Sequence, residues 1–134
     1  MADIEQAIYA RLVADVPVNT IVEGRVFPVI MPDNSRFPCI TFQRIAVQRE
    51  HLLEGRGNFA SGEFVIECWV KRDPQGIATM ADLAKKVRDC VDGVRGTLSS
   101  VDVQGILSIN EFDIYEPDVE VFRRTLRFRI LYRE

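Results

Sequence analysis

The sequence predicts an α+β fold, in which two helices pack on a mainly antiparallel sheet of four to five strands, in the order α-β-β-β-α-β-β. Two segments place apolar residues at steps of three and four, as amphipathic helices do. Several other segments alternate apolar and polar residues, which is typical of strands with one buried face. Helices and strands mixed in this way predict a layer of helices on one sheet.

The first third of the chain predicts a helix from Asp3 to Asp15 and then a short strand, Arg25–Val29. Asp3 is a suitable N-cap because its side chain can accept a hydrogen bond from the first turn. Pro17 is expected to end the helix, since the residue before a proline disfavours helical geometry. Residues 16–24 are therefore predicted to be a linker.

The middle of the chain predicts two strands on either side of a polar, glycine-bearing segment. Residues alternate from Phe37 to Val47 and again from Glu63 to Lys71. Between them, residues 48–62 predict a long loop or an extended hairpin tip. A loop of that length in a small domain is usually functional or disordered.

The second half predicts one helix and two strands. Asp73-Pro74 is a typical helix start, and the helix is expected to run to about Val91. Its apolar stripe comprises Ile77, Met80, Ala84, Val87 and Val91. The strands cover about Val101–Tyr115, with a kink or bulge at Gly105, and Val119–Tyr132.

The composition is that of one ordinary globular domain, residues 1–134. Of 134 residues, 47% are hydrophobic and 28% charged, enough apolar material for a core. No apolar stretch is long enough to span a bilayer, and the N-terminus lacks the features of a signal peptide. A net charge of −3 and a pI of about 5.3 argue against a dedicated nucleic-acid binder. Three cysteines without a CxxC pair indicate reduced thiols in a cytoplasmic setting.

The residue pattern gives no catalytic constellation. His51 is the single histidine, and no GxSxG, HExxH, Walker or GxGxxG motif occurs. Cys39, Cys68 and Cys90 lie on separate elements, which makes a zinc site improbable. We therefore expect no enzymatic activity, no cofactor and no metal.

The last predicted strand carries an arginine stripe on its polar face: Arg123, Arg127, Arg129 and Arg133. Like charges on one face repel unless something neutralises them. Three alternatives are open. Glu63 and Glu67 of a neighbouring strand can pair with the stripe, the arginines can contact another subunit, or they can contact DNA phosphates.

The segment 48–62 places three apolar residues among charges, which suits an arm that docks on a neighbour. Together with the stripe and its carboxylates, this gives a hypothetical subunit or partner interface. Its residues are Arg49, His51, Leu52, Leu53, Arg56, Phe59, Glu63, Glu67, Arg123, Arg127 and Arg129.

The order and spacing of six segments resemble those of the tail completion proteins of long-tailed phages and prophages, also called tail terminators or tail-to-head joining proteins. The segments are the opening helix Ile4–Leu12, the strand Gly24–Val29, Pro38–Arg44 (PCITFQR), Glu67-Cys68-Trp69, the helix Ala81–Arg88 (ADLAKKVR) and Asp113–Pro117 (DIYEP).

The resemblance implies a non-enzymatic virion protein at the head-proximal end of the tail, assembled in the host cytoplasm. Such proteins form a hexameric ring that stops polymerisation of the tail tube and joins the tail to the head connector. The implied partners are further copies of the chain, the tail tube protein and the head–tail connector protein. DNA would pass through the lumen without sequence-specific binding, and no membrane is involved. The alternatives are another connector or head-completion component, or a small enzyme or ligand-binding domain.

Overall fold

The computed structural model describes residues 3–32, 36–52 and 55–133, with the side chains of 50–52 and 55–58 left out of the description. The helices are α1 (Ile4–Ala14), α2 (Val16–Val22) and α3 (Gly76–Val91). The strands are β1 (Val26–Pro28), β2 (Cys39–Leu52), β3 (Gly55–Lys71), β4 (Gly96–Leu98), β5 (Val101–Glu116) and β6 (Val121–Arg133).

The predicted architecture was wrong in its number and order of elements. The described chain is mostly β, with one sheet of six strands and three helices rather than four to five strands and two helices. The sheet order is β1-β2-β3-β6-β5-β4. It is mixed, because β1 pairs with β2 in parallel while the other neighbours are antiparallel.

The segment predicted to be a linker, residues 16–24, contains the whole of α2. Asp15 caps this helix, its carboxylate accepting a hydrogen bond from Val18 N at 3.1 Å. Pro17 lies in the first turn, where a missing N–H costs no intrahelical bond, so it helps to start α2. The interpretation of Pro17 as a stop signal alone was therefore incomplete. Asp3 caps α1 as predicted and, with Gln6, forms a capping box.

The predicted start of α3 was two residues too early, because Gln75 and not Asp73 is the N-cap. Asp73 does not cap this helix; its carboxylate accepts a hydrogen bond from Gln75 N at 2.8 Å within the preceding turn. Gly76 is required by close approach, because a Cβ there would lie 2.6 Å from Lys71 O. Ile77, predicted to lie in the apolar stripe, is 61% exposed, and the buried face includes Leu83 instead.

The strands are longer than the sequence predicts. Strands β2 and β3 run through residues 48–52 and 55–62, and residues 53–54 lie outside the described part of the chain. The predicted irregularity at Gly105 is confirmed, since the pairing of β5 with β6 shifts between Val103 and Gly105. The short strand β4 had no counterpart in the prediction.

All three helices contribute to one core on one face of the sheet. The even-numbered residues of β6 point into it, and Phe128 lies opposite Phe64 of β3, both almost fully buried. Leu12 of α1, Val18 of α2 and Leu83 of α3 belong to the same cluster and are fully buried. The opposite face of the sheet, here called the open face, carries the odd-numbered residues of β6.

Candidate assembly surface

The arginine stripe lies on the open face, as the alternation of β6 predicts. The partner residues on β3 share that face because Glu63 pairs with Arg129 and Trp69 with Arg123 in the antiparallel ladder. A shallow groove of about 290 Å³ runs over this face. Its lining includes Val65 and Thr125 from the two central strands and Phe112 and Ile114 from β5.

Glu63 binds the two middle arginines of the stripe. Its carboxylate oxygens lie 2.7 Å from Arg127 Nη2 and 3.3 Å from Arg129 Nη2. The hydrogen bonds from Arg127 and then Arg129 hold the pKa of Glu63 below its ordinary value of 4.5. These two arginines are therefore paired within one chain. A contact between them and a neighbouring subunit stays a prediction.

Arg123 has the most constrained environment of the stripe. Its guanidinium lies 3.3 Å from Glu67 Oε2 and 3.1 Å from Glu116 Oε1, and it stacks 5.1 Å from the centre of the Trp69 ring. Trp69 Nε1 in turn donates a hydrogen bond to Thr41 Oγ1 at 2.9 Å. This chain of contacts connects β2, β3, β6 and β5 across the open face.

Arg123 Nε is buried and has no hydrogen-bond partner among the described residues. The two carboxylates and the indole ring nevertheless offset the charge of this guanidinium. The predicted pairing of Glu67 with the stripe is thus present within one chain.

The residues of the predicted docking arm are distributed over β2 and β3. Phe59 is 41% exposed on β3, and Arg133 stacks over its ring at 4.7 Å. Arg49 lies on β2 opposite Ala60 and is exposed. Leu53 lies outside the described residues, and the structure describes only the backbone of His51, Leu52 and Arg56: His51 pairs with Arg56, and Leu52 with Gly55.

Sequence reasoning missed a row of apolar side chains on β5. Leu107, Ile109, Phe112 and Ile114 are 51%, 42%, 43% and 37% exposed. The pairing with β6 shifts between Ser108 and Asn110, so Leu107 and Phe112 share the open face although five positions separate them. The signal available in the sequence was that β5 has apolar residues at both odd-numbered and even-numbered positions. The second bulge could not be recognised from the sequence, so it was not apparent that Leu107 and Phe112 share one face.

Sequence reasoning also missed the carboxylates that β5 supplies to arginines on neighbouring elements. Asp113 forms a two-point contact with Arg124 of β6, at 2.7 and 3.0 Å, and this lowers the pKa of Asp113. Glu111 binds Arg88 of α3 at 3.0 Å. The acidic residues of β5 therefore neutralise arginines on both sides of the sheet.

The described residues contain no group of three or more side chains that could hold a metal ion. Among the helices described, none is long and apolar enough to cross a membrane. The thiols of Cys39, Cys68 and Cys90 are buried, and burial raises the pKa of each, to about 12, 12 and 11.

The comparison with protein families identifies the family of the chain that carries this surface. Residues 6–133 match the family described as Tail completion protein gp17. The chain belongs to this family. The resemblance drawn from the order of its segments is thereby confirmed. As a member of the family, the chain is a structural protein of a phage-like tail and therefore a virion component. No curated protein matches it.

The fold has a counterpart among solved structures. A chain in the virion of a native gene transfer agent particle superimposes with a TM-score of 0.81 and 23% sequence identity. The match covers 98% of this chain and 95% of that chain. At this identity the likeness establishes a shared fold over nearly the whole length.

Proposed function

We propose that this protein caps the head-proximal end of a phage tail tube as a ring, ends tube polymerisation and joins the tail to the head connector. The observation that carries the proposal is membership of the tail completion family over residues 6–133. The open face adds physical support, because paired charges beside exposed apolar side chains are typical of surfaces that assemble after folding.

The partners follow from this role. The ring is a homo-hexamer, one side of which binds the tail tube protein while the other binds the head–tail connector protein. DNA passes through the lumen without sequence-specific binding. The net charge of −3 and the internal pairing of the arginine stripe fit a protein that does not hold DNA tightly.

The residues proposed for contacts with neighbours are those of the predicted interface that the structure describes as exposed. Phe59 offers an aromatic anchor, and the Arg129 side chain is 49% exposed despite its bond to Glu63. Arg49 is exposed near the same end of the sheet. Replacing Arg129 by Ala is expected to weaken assembly while leaving the fold intact, since Arg127 still neutralises Glu63.

The decisive experiment measures the length of tail tubes. The purified chain is added to polymerising tail tube protein from the same particle, and lengths are measured by negative-stain electron microscopy. We expect shorter tubes that carry a density at one end. A concentration series gives the ratio of chain to tube ends, and a chain unfolded by heat serves as the control.

Tubes of unchanged length with no end density would refute the capping role. Binding to the connector protein without binding to tubes would instead identify a head-completion component. Light scattering of the free protein addresses the ring separately, since a hexamer has about six times the 15.3 kDa mass of one chain.

A further inference from the structure

The two outermost strands of the sheet, β1 and β4, are very short. They leave much of the neighbouring long strands, β2 and β5, without a partner strand on their outer side. Strand β1 pairs with β2 only from Ile40 to Phe42. At the other end, β4 pairs with β5 only from Val101 to Val103. The outer edge of β5 is then followed by the loop after α3, where Ile106 exchanges backbone hydrogen bonds with Gly93 and Val94, at 2.7 and 3.1 Å.

The cover on β5 stops at Ser108, whose N–H donates to Asp92 Oδ1 at 3.0 Å. In the described part of the chain, no strand or loop backbone lies along residues 109–116, here called the β5 edge. The same holds for residues 43–52 of β2, here called the β2 edge. Such edges present unpaired N–H and C=O groups to any strand that arrives.

The two edges carry charges of opposite sign. Glu111, Asp113 and Glu116 lie along the β5 edge, which has no basic residue. Each of them binds an arginine of the same chain, but their side chains are still 41%, 58% and 37% exposed, so each carboxylate can accept a second arginine. On the β2 edge, Arg44 binds Glu5 and is still 38% exposed, Arg49 follows it, and Glu50 is the single carboxylate of that segment. Two β5 edges side by side would therefore bring carboxylates together, and two β2 edges would bring arginines together. The favourable combination is one edge of each kind.

Apolar side chains accompany both edges. Phe112 and Ile114 stand exposed beside the β5 edge, and Ile45 is 50% exposed on the β2 edge. Pairing of the two edges would bring these side chains together and remove them from water. The exposed apolar row on β5, of which Phe112 and Ile114 line the open-face groove with Ile45 of the same chain, would then be covered.

We propose that the β5 edge of one copy of this chain pairs with the β2 edge of the next copy, so that the sheet continues from subunit to subunit. Such an interface is head-to-tail, and head-to-tail interfaces close into rings when the rotation between copies allows it. The inference rests on the proposed self-association of the chain and identifies the surfaces that carry it.

Cross-linking between two single-cysteine variants tests the pairing. Gln48 of the β2 edge and Asn110 of the β5 edge are exposed, and each is replaced by Cys in a separate chain. The native cysteines are buried and are not expected to react. The two variants are mixed, treated with a short bis-maleimide and analysed on a denaturing gel. We expect several-fold more cross-linked dimer in the mixture than in either variant alone.

The matched control places the second cysteine on a helix, as Ala78→Cys on the exposed side of α3, opposite its buried face. Equal cross-linking of Q48C with A78C would overturn the proposal, and so would stronger cross-linking of N110C with itself. A pair of variants that stays uncross-linked at every concentration, both free and on added tail tubes, also overturns it. The tube-length assay decides capping separately, because it measures tube ends and not the contact between copies.

A second variant tests the edge without cysteines. Ile109→Lys with Ile114→Lys places two lysines along the β5 edge, a device by which natural edges resist pairing. Ile77→Lys on α3 is the matched control, since Ile77 is equally apolar, 61% exposed and not part of either edge. We expect a several-fold loss of oligomer by light scattering in the edge variant alone, with unchanged circular dichroism. Equal oligomer in both variants would contradict the proposal.

Discussion

Removing the Thr41 hydroxyl tests the chain of contacts that holds Trp69 on the open face. Thr41 is 4% exposed, and its Oγ1 accepts the Trp69 indole N–H at 2.9 Å. Val has nearly the same shape but cannot accept this bond, so Thr41→Val leaves the half-buried N–H unsatisfied. The expected cost is about 1 to 2 kcal/mol of unfolding free energy, in the lower part of the usual range because Trp69 is partly exposed.

This free energy corresponds to a measurable change in Tm. Unfolding entropy averages about 2.1 cal/mol/K per residue, or about 0.28 kcal/mol/K for the 134 residues of this chain. The expected decrease in Tm is therefore about 4 to 7 °C. Thermal unfolding followed by circular dichroism gives the value.

A double-mutant cycle isolates the hydrogen bond from other effects of the substitution. Trp69→Phe removes the indole N–H, and in that background Thr41→Val is expected to be nearly neutral because both partners are then apolar. The coupling between the two sites should equal most of the loss seen in T41V. A coupling below about 0.5 kcal/mol, the usual error of additivity, would refute the assignment of this bond.

Three further predictions concern the charges, the thiols and the core. The folded-state pKa of Glu63 is lowered, so its stabilising effect is complete above the ordinary value of 4.5 and is lost as the pH falls through the lowered pKa. Urea midpoints of wild type and Glu63→Gln should therefore differ at pH 7 and converge in acid; a constant difference would contradict this. Phe128→Ala should cost about 3 to 5 kcal/mol in urea unfolding, because it empties a site that is 1% exposed, whereas the exposed Ile77→Ala should stay within about 0.5 kcal/mol. A thiol reagent at pH 8 should label the native protein slowly and the urea-unfolded protein completely, since burial raises the pKa of Cys39, Cys68 and Cys90; rapid native labelling would disprove it.

The parts of the fold that could be predicted from the sequence are those in which one physical signal dominates. Alternation alone assigned the two faces of β6, because a buried strand face tolerates few polar residues. Capping chemistry likewise gave the start of α1 at Asp3. The helix α2 was missed because Pro17 fits both the end of one helix and the first turn of the next. The feature that identifies Pro17 as part of a new helix is the capping residue Asp15, which lies two positions before it.

The candidate surface was predictable to the extent that charges alternate along a single strand. The pairing of Glu63 and Glu67 with the arginine stripe was among the alternatives open at the level of sequence. The contribution of β5 to the surface could not be predicted. Two bulges change which of its side chains share a face, and a bulge leaves little trace in a single sequence. The open edges were invisible for another reason: they depend on how far β1 and β4 extend along their neighbours.

The distribution of charge between β5 and β6 has a consequence for the register in which the two strands pair. Asp113 and Arg124 lie directly opposite, while the next arginine along β6, Arg123, points to the other side of the sheet. Sliding one strand by a single residue would separate this pair and turn Phe128 away from the core at the same time. Two unrelated forces thus penalise the same misalignment. The ion pair specifies the alignment within the hairpin itself, and the burial of Phe128 against Phe64 of β3 specifies the same alignment when the core forms.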